Sequence, residues 1–303
     1  MKKIFSVNKD YVDSRLDKWF KKNVFNIPQS LIEKILRKGN IKINKKKVKS
    51  SYKLKENDLI TIINLNFTET QSKKKKVIYK ASKKEVSYSS KMIIENNDNF
   101  VVINKPAGVA VQSGTKSKRN IIDLLRDTKE FENSSPFTVH RIDKETTGIL
   151  IVAKNRKSAQ LFTSLFRIRK IHKTYLAIVL GIPNKNKGTL IDELLHYEGE
   201  KKIKSKAITH YTVIDSNNNY SVLKLNPETG RKHQLRKQLL IFGHPVLGDD
   251  KYRLSKNHIN KKSTLMLHAY KINFSINDIK YRYLAEPPLL FKDFLKQKYL
   301  KSF

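Results

Sequence analysis

The sequence predicts an α+β protein of two domains, a small basic unit followed by a larger mixed one. Three observations carry this. The chain has 303 residues, and domains run to roughly 100–200 residues each. Residues 1–90 hold 24 Lys+Arg against 8 Asp+Glu, whereas the other 213 hold 39 against 19. Net charge per residue is therefore about twice as high in the first segment. From Met92 onward strand and helix patterns mix without the regular βαβ alternation of a doubly wound sheet, which favours α+β.

In the first segment, Ser14 is placed to cap a short helix on which Leu16, Trp19 and Phe20 recur at helical spacing. Pro28 suits the first turn of a second helix with Leu31, Ile32, Ile35 and Leu36 on one face and Gly39 at its end. Ile41 to Ile43 alternates as a strand, Asn44 to Lys47 makes a lysine-rich turn, and Leu59 to Ile63 reads as another strand. Residues 64–90 turn polar, with Lys73 to Lys76 in a row, and read as a basic linker. The division is thus 1–63, 64–90 and 91–303.

In the larger domain, strands are expected at Met92–Glu95, Phe100–Asn104, Ile149–Ala153, Tyr175–Val179 and Ser221–Leu225. Asn155 caps a helix whose apolar side carries Leu161, Phe162, Leu165, Phe166 and Ile168. Arg231 to Phe242 forms another, stopped by Gly243.

Composition narrows function. Lys+Arg is 63 and Asp+Glu 27, a net charge of +36. Such a field repels itself and attracts polyanions, nucleic acid first among them. There are no cysteines, which removes disulfides, thiolate catalysis and Cys-ligated zinc. No run approaches the ~18 apolar residues of a membrane span. Asp10, Asp13 and Asp17 interrupt the N-terminus before a signal sequence could form. A soluble cytosolic protein, with no membrane partner, is expected.

Two polar segments stand out. Thr138-Val139-His140-Arg141-Ile142-Asp143-Lys144-Glu145-Thr146-Thr147-Gly148 lies between apolar stretches and leads into the strand at Ile149. Loops held between rigid strands are common mounts for catalytic groups; a surface turn in which Asp143 caps its own backbone fits the spacing equally. In Arg231-Lys232-His233-Gln234-Leu235-Arg236-Lys237, a helix would put Lys232 and Arg236 on one face and His233 three residues from Arg236. That face suits a phosphate or a carboxylate such as Asp143, or is simply a cationic surface.

Read together, the segments resemble a family. His140 to Lys154, HRIDKETTGILIVAK, resembles the signature of the RluA-type pseudouridine synthases, usually HRLDKDTSG before an apolar strand. Asn104-Lys105-Pro106-Ala107-Gly108, Lys173-Thr174-Tyr175, Thr229-Gly230-Arg231-Lys232-His233-Gln234-Leu235-Arg236, Gly243 to Asp249 and Leu267-His268-Ala269 resemble its companion segments in the family's order. The stretches around Arg15-Leu16-Asp17-Lys18 and Arg37 to Asn44 resemble the alpha-L RNA-binding motif first seen in a small-subunit ribosomal protein. That combination resembles the ribosomal-RNA subgroup, the RluC and RluD types. The chain departs from the family where Lys232 replaces Thr, Lys237-Gln238 replaces Val-His, and Gln112-Ser113 replaces a His-containing pair.

The resemblance implies a mixed, mainly antiparallel sheet with a central cleft, and isomerisation of uridine to pseudouridine in RNA, notably large-subunit ribosomal RNA. It implies Asp143 as nucleophile, Arg236 as its pairing cation, and Tyr175 against the uracil. Arg141 would fill the gap left by a flipped uridine, and Leu235 would border the base pocket. His140, Lys105 and His268 read as structural. No cofactor is implied, in keeping with the absence of dinucleotide and Walker motifs, and the protein is expected to act as a monomer. Two rivals compete. One is an RNA-binding assembly protein without catalysis, disfavoured by the presence of Asp143, Tyr175 and Arg236. The other is a glycoside hydrolase using Asp143 and Glu145, which explains neither the charge nor the companion segments.

Overall fold

The computed structural model describes residues 2–8, 11–25, 27–63, 81–112, 119–198, 201–254 and 264–301. The lysine run at 73–76 and most of the expected linker lie outside them. The chain divides into two compact units, Met1–Lys76 and Val77–Phe303.

In the first unit, helices α1 (Leu16–Asn23) and α2 (Gln29–Arg37) pack with a three-stranded sheet of β1 (Lys2–Ser6), β2 (Ile41–Ile43) and β3 (Leu59–Ile63). β3 is central and antiparallel to both neighbours. The expected apolar residues meet here: Leu16, Trp19, Phe20, Ile32, Ile35, Leu36, Ile41, Ile43 and Ile60 are buried in one cluster. Strand β1 had no sequence expectation, because its five residues, KKIFS, show only one alternation. Ser14 is not the cap of α1; Arg15 holds that position with no side-chain cap. The Arg15 side chain instead runs to Asp17, with N–O distances of 3.1 and 2.6 Å.

The second unit is built on a ten-stranded sheet. Its main path is β4 (Ile93–Asn96), β5 (Phe100–Lys105), β7 (Thr147–Ala153), β12 (Leu267–Ile276), β8 (His172–Leu180), β11 (Tyr220–Pro227), β10 (Lys201–Ser216) and β9 (Lys187–Glu198). β6 (Phe137–Thr138) joins β7, and β13 (Ile279–Leu284) joins β12. Among the strands of the described residues only β7 and β12 pair in parallel, through His268 with Thr147 and Ala269 with Gly148. Every other pairing is antiparallel, as expected for a mixed, mainly antiparallel sheet. Among the described residues no helix is long and apolar enough to cross a membrane.

Helix α3 (Lys83–Ser90) corrects the linker reading for its last residues. Ser82 and Glu85 form a capping box, and that S-x-x-E signal outweighs the weak apolar period. Helix α4 (Ile121–Arg126) buries Ile121, Leu124 and Leu125. Helix α5 (Arg156–Arg167) is capped as expected, Asn155 accepting from the Ser158 N–H. Phe162 is buried beneath α5, but Leu161 and Ile168 are exposed, the first on the solvent side and the second beyond the helix end. Helix α6 (Gln234–Ile241) begins three residues later than expected, and α7 (Leu289–Gln297) closes the unit. The β9–β10 hairpin was not expected. Leu190, Ile191, Leu194 and Leu195 suit a helical period in isolation, and only pairing with Lys201–Thr212 makes the segment a strand.

The parallel β7–β12 contact carries the loop before β7, and two residues make it possible. Gly148 has φ +106°, and a Cβ there would stand 2.2 Å from the Ala269 carbonyl oxygen. His268 is fully buried. Its Nδ1 lies 2.8 Å from the Thr147 hydroxyl and its Nε2 2.8 Å from the Ala285 carbonyl. The carbonyl can only accept, so Nε2 carries the proton and Nδ1 accepts from Thr147. Burial pushes the His268 pKa down to about 4, against a smaller upward pull from the Ala285 bond.

Gly148→Ala is expected to destabilise the protein by at least about 3 kcal/mol, read by urea unfolding. A loss under about 1 kcal/mol would show that the strands can separate freely. His268 supplies a pH dependence. Its folded-state pKa lies below the ordinary value, so its neutral form stabilises fully above about pH 6.5. That contribution is lost as pH falls toward 4, at roughly 1.4 kcal/mol per pH unit. Unfolding curves at pH 7, 6 and 5 should show this extra slope in the wild type and not in His268→Asn.

Candidate active site

Asp143 lies in the loop between β6 and β7, which is tied down on both sides. At its start, His140 Nε2 accepts from the Ile151 N–H at 2.9 Å, and its ring stacks on Phe166 at 4.5 Å. Burial and then the charge of Lys173 push the His140 pKa down to about 3, so the imidazole is neutral and acts as an acceptor. Ile142, next to Asp143, is buried in the core. One residue beyond, the Lys144 carbonyl accepts from Lys105 Nζ and from the Gly108 N–H, both at 3.0 Å. Lys105 is fully buried, and Nζ also donates to the carbonyls of Pro106 at 2.7 Å and Val109 at 3.0 Å. All three ammonium protons are thus satisfied by backbone. Burial pushes its pKa down to about 7, against the pull of Glu145 and Asp143.

The cation facing this loop comes from α6. The helix starts at Gln234 because His233 takes a left-handed conformation, φ +54°. The expected helical face linking Lys232 to Arg236 therefore does not exist; Lys232 sits in the preceding turn, exposed. The turn is closed by Gln234, whose Oε1 accepts from the Arg231 N–H at 3.0 Å and the Thr229 hydroxyl at 2.7 Å. Its amide donates to the Ile208 carbonyl and to Thr209 Oγ1. Gln238, one turn on, is fully buried. It accepts from the Thr209 hydroxyl at 2.7 Å and donates to Asp192 at 2.8 Å. Two of the three departures in this segment, Lys237 and Gln238, thus hold α6 to the β9–β10 hairpin, since Lys237 Nζ donates to the Leu195 carbonyl at 2.9 Å.

Arg236 is consequently rigid. Its Nε and Nη2 donate to the two oxygens of Asp249 at 2.6 and 2.7 Å. The Asp249 side chain is wholly buried and that of Arg236 is 6% exposed. Burial alone would raise the Asp249 pKa. The Arg236 bond and the N–H groups of Tyr252 and Lys251 outweigh it and hold the carboxyl below the ordinary range. The remaining nitrogen, Nη1, lies 3.5 Å from Asp143 Oδ2. Tyr252 covers the guanidinium at 5.1 Å. His233 Nε2 stands 3.8 Å from Asp143 Oδ1. Burial pushes the His233 pKa down; Asp143 opposes that shift, while Arg236, Lys251 and Lys232 add to it.

A cavity of about 490 Å³ opens in front of this pair, and Asp143, Tyr175, Arg236, Arg141 and Leu235 are all on its wall, with His233. The structure brings the five expected site residues together. Burial, and then the charge of Asp143, push the Tyr175 phenol pKa up, so the hydroxyl stays protonated. His140, Lys105 and His268 bond to backbone as structural residues do. Gln112 is exposed and Ser113 lies outside the described residues. Sequence reasoning missed Asp249, Tyr252 and His233. The Gly243–Asp249 stretch carried the signal for Asp249, but nothing local announces a partner thirteen residues away.

Residues 99–240 match the model of the RNA pseudouridylate synthase family, and residues 14–60 that of the S4 domain. The ribosomal large subunit pseudouridine synthase C of Rickettsia conorii is 34% identical over 87% of this chain and 90% of its own. The chain belongs to the RNA pseudouridylate synthase family. That family converts uridine to pseudouridine in RNA, and this synthase is an isomerase of that kind. The protein of the same name from Buchnera aphidicola (strain Bp) is 33% identical, covering 93% of each chain. Among solved structures, human RNA pseudouridylate synthase domain containing 4 superposes with a TM-score of 0.61 and 26% identity, over 72% of this chain and 98% of that one.

Asp249→Asn in the synthase removes the charge that holds Arg236. It is expected to lower single-turnover rate about 10²-fold, the scale for a misplaced active-site group. It should also destabilise the protein by about 3 kcal/mol, because the buried guanidinium loses its bidentate carboxylate and keeps only the longer contacts to Asp143 and Asp250. A variant that unfolds more easily yet turns over at the wild-type rate would show that Arg236 is positioned by other contacts.

Proposed function

We propose that this synthase modifies large-subunit ribosomal RNA, with Asp143 as nucleophile. The observation that carries the chemistry is the Asp143 carboxylate facing the clamped Arg236 guanidinium at 3.5 Å on the wall of a cavity that also holds Tyr175. The adjacent cation favours the ionised carboxylate, and the clamp holds that cation in one geometry. The names of the relatives and the net charge of +36 support the choice of RNA. In this reading residues 1–63 form an RNA-binding domain, most of 64–90 links it onward, and 91–303 form the catalytic domain. The protein works as a monomer in the cytoplasm and needs no cofactor.

A uridine in a paired helix is out of reach, so the base must leave its stack before reaction. Arg141, exposed on the rim, fills the gap it leaves. Tyr175 and Leu235 border the uracil. Asp143 then acts at the ribose, by attack on the anomeric carbon or by assisting a glycal. The bond from the ribose to uracil N1 breaks and the uracil turns; uracil C5 then bonds to the same ribose carbon as Asp143 is released, C5 loses its proton, and N1 gains one. Tyr175 holds the ring during the turn, and its protonated hydroxyl can pass a proton.

Asp143→Asn is expected to reduce pseudouridine formation by on the order of 10⁴-fold or more, with folding and RNA affinity retained. Site-resolved mapping of pseudouridine after incubation with ribosomal RNA measures this and identifies the uridine. Substantial turnover by a folded variant free of deamidation would overturn the nucleophile. Wild-type modification of other RNAs but not large-subunit ribosomal RNA would overturn the substrate.

A further inference from the structure

The cavity wall carries more positive charge than its own acids balance. Among the described residues its cations are Arg141, Arg167, Arg169, Lys173, Arg231 and Arg236, and its only acids are Asp143 and Glu228. Both acids are engaged, Asp143 with Arg236 and His233, and Glu228 with His210 at 2.7 Å. Among the described residues Arg167, Arg169 and Lys173 make no salt bridge. These three come from one short stretch: the last turn of α5, the turn after it, and the start of β8.

The turn is unusual in its residue. The Lys170 N–H bonds to the Leu165 carbonyl at 2.9 Å and the Arg169 N–H to the Phe166 carbonyl at 3.3 Å, the two bonds of a Schellman motif. The left-handed residue of that motif is usually glycine, because a Cβ is disfavoured there. Here it is Arg169, with φ +59°. The helix C-terminus favours a nearby cation, but Arg167 already supplies one in the last turn. An arginine in the glycine slot, lining the reaction cavity, points from an observed outlier to a function.

Lys173 lies two residues before Tyr175 on β8, hence on the same face of the strand. Burial first, and then the charge of the nearby Arg169, push its pKa down. A bound polyanion would relieve that repulsion.

We propose that Arg167, Arg169 and Lys173 form a phosphate subsite, which holds the RNA backbone phosphates flanking the uridine in the cavity. The proposal rests on the reading that this cavity receives a uridine of RNA, and adds how the strand is held there.

The test uses full-length protein and measures affinity for a ribosomal RNA fragment by fluorescence anisotropy across a salt series. Arg167→Ala/Arg169→Gly is compared with wild type and with Lys129→Ala/Lys280→Ala, which removes two exposed cations outside the cavity. Glycine fits the left-handed turn, so the first variant should melt no lower than wild type. The slope of log affinity against log salt should fall by about 1.4 in that variant, about 0.7 for each single-strand phosphate no longer neutralised, and stay unchanged in the control. Lys173→Met should lower the slope by about 0.7. An unchanged slope overturns the subsite, and an equal fall in the control assigns the effect to bulk charge and overturns it too. Repeating the series with Asp143→Asn separates binding from chemistry. The subsite can thus fail while the wild type still makes pseudouridine, and failure to make it would count against the function alone.

Discussion

The buried clamp between Arg236 and Asp249 is the constraint on which the site depends. A guanidinium that is 6% exposed, against a carboxylate with no exposure, has surrendered its hydration and must keep its partner. Two of its nitrogens are committed to Asp249, and a third faces Asp143. The clamp therefore decides where a positive charge sits relative to the candidate nucleophile. Its value is geometric, since ion pairs this buried add little net stability over an apolar replacement. Asp249 is itself fixed by the turn after Gly248, where φ is +77° and a Cβ would stand 2.0 Å from the Thr264 carbonyl oxygen.

The rest of the second unit keeps the two halves of the pair in register. Asp143 is carried by a loop pinned by Lys105 and by the close β7–β12 contact. Arg236 is carried by a helix bonded to the β9–β10 hairpin through Gln234, Gln238 and Thr209. The strands between them, β8, β11 and β12, hold the cores beneath α6 and α7. Buried polar groups of this kind are costly unless satisfied; Lys105, Gln234, Gln238 and Thr209 each find partners, whereas His233 Nδ1 is buried with none.

Electrostatics divides along the same lines. Around Asp143 charge is paired and fixed; on the same cavity wall at the end of α5, cations stand together without acids. The first arrangement suits a group that reacts, the second a group that binds a polyanion. Both lie within one unit whose Tyr175 and Lys173 share a strand face, so the reacting base and the strand that bears it can be held by neighbouring residues.

The chain's own order of residues determined much of this. Periodicity placed α1, α2, α5 and the strands on either side of the site, and HRIDKETTG with its companion segments pointed to the chemistry and to five of the residues on the cavity wall. Those features are local, because a strand or capped helix declares itself within about ten residues. Tertiary structure alone decided the rest. It started α6 at Gln234, made a strand of Leu190–Leu195, gave Arg236 to Asp249, and gathered Arg167, Arg169 and Lys173 around one cavity. The physical reason is that a residue's periodicity reports which face it occupies, but not what that face meets. Partners distant in sequence leave no local mark until the chain has closed around them.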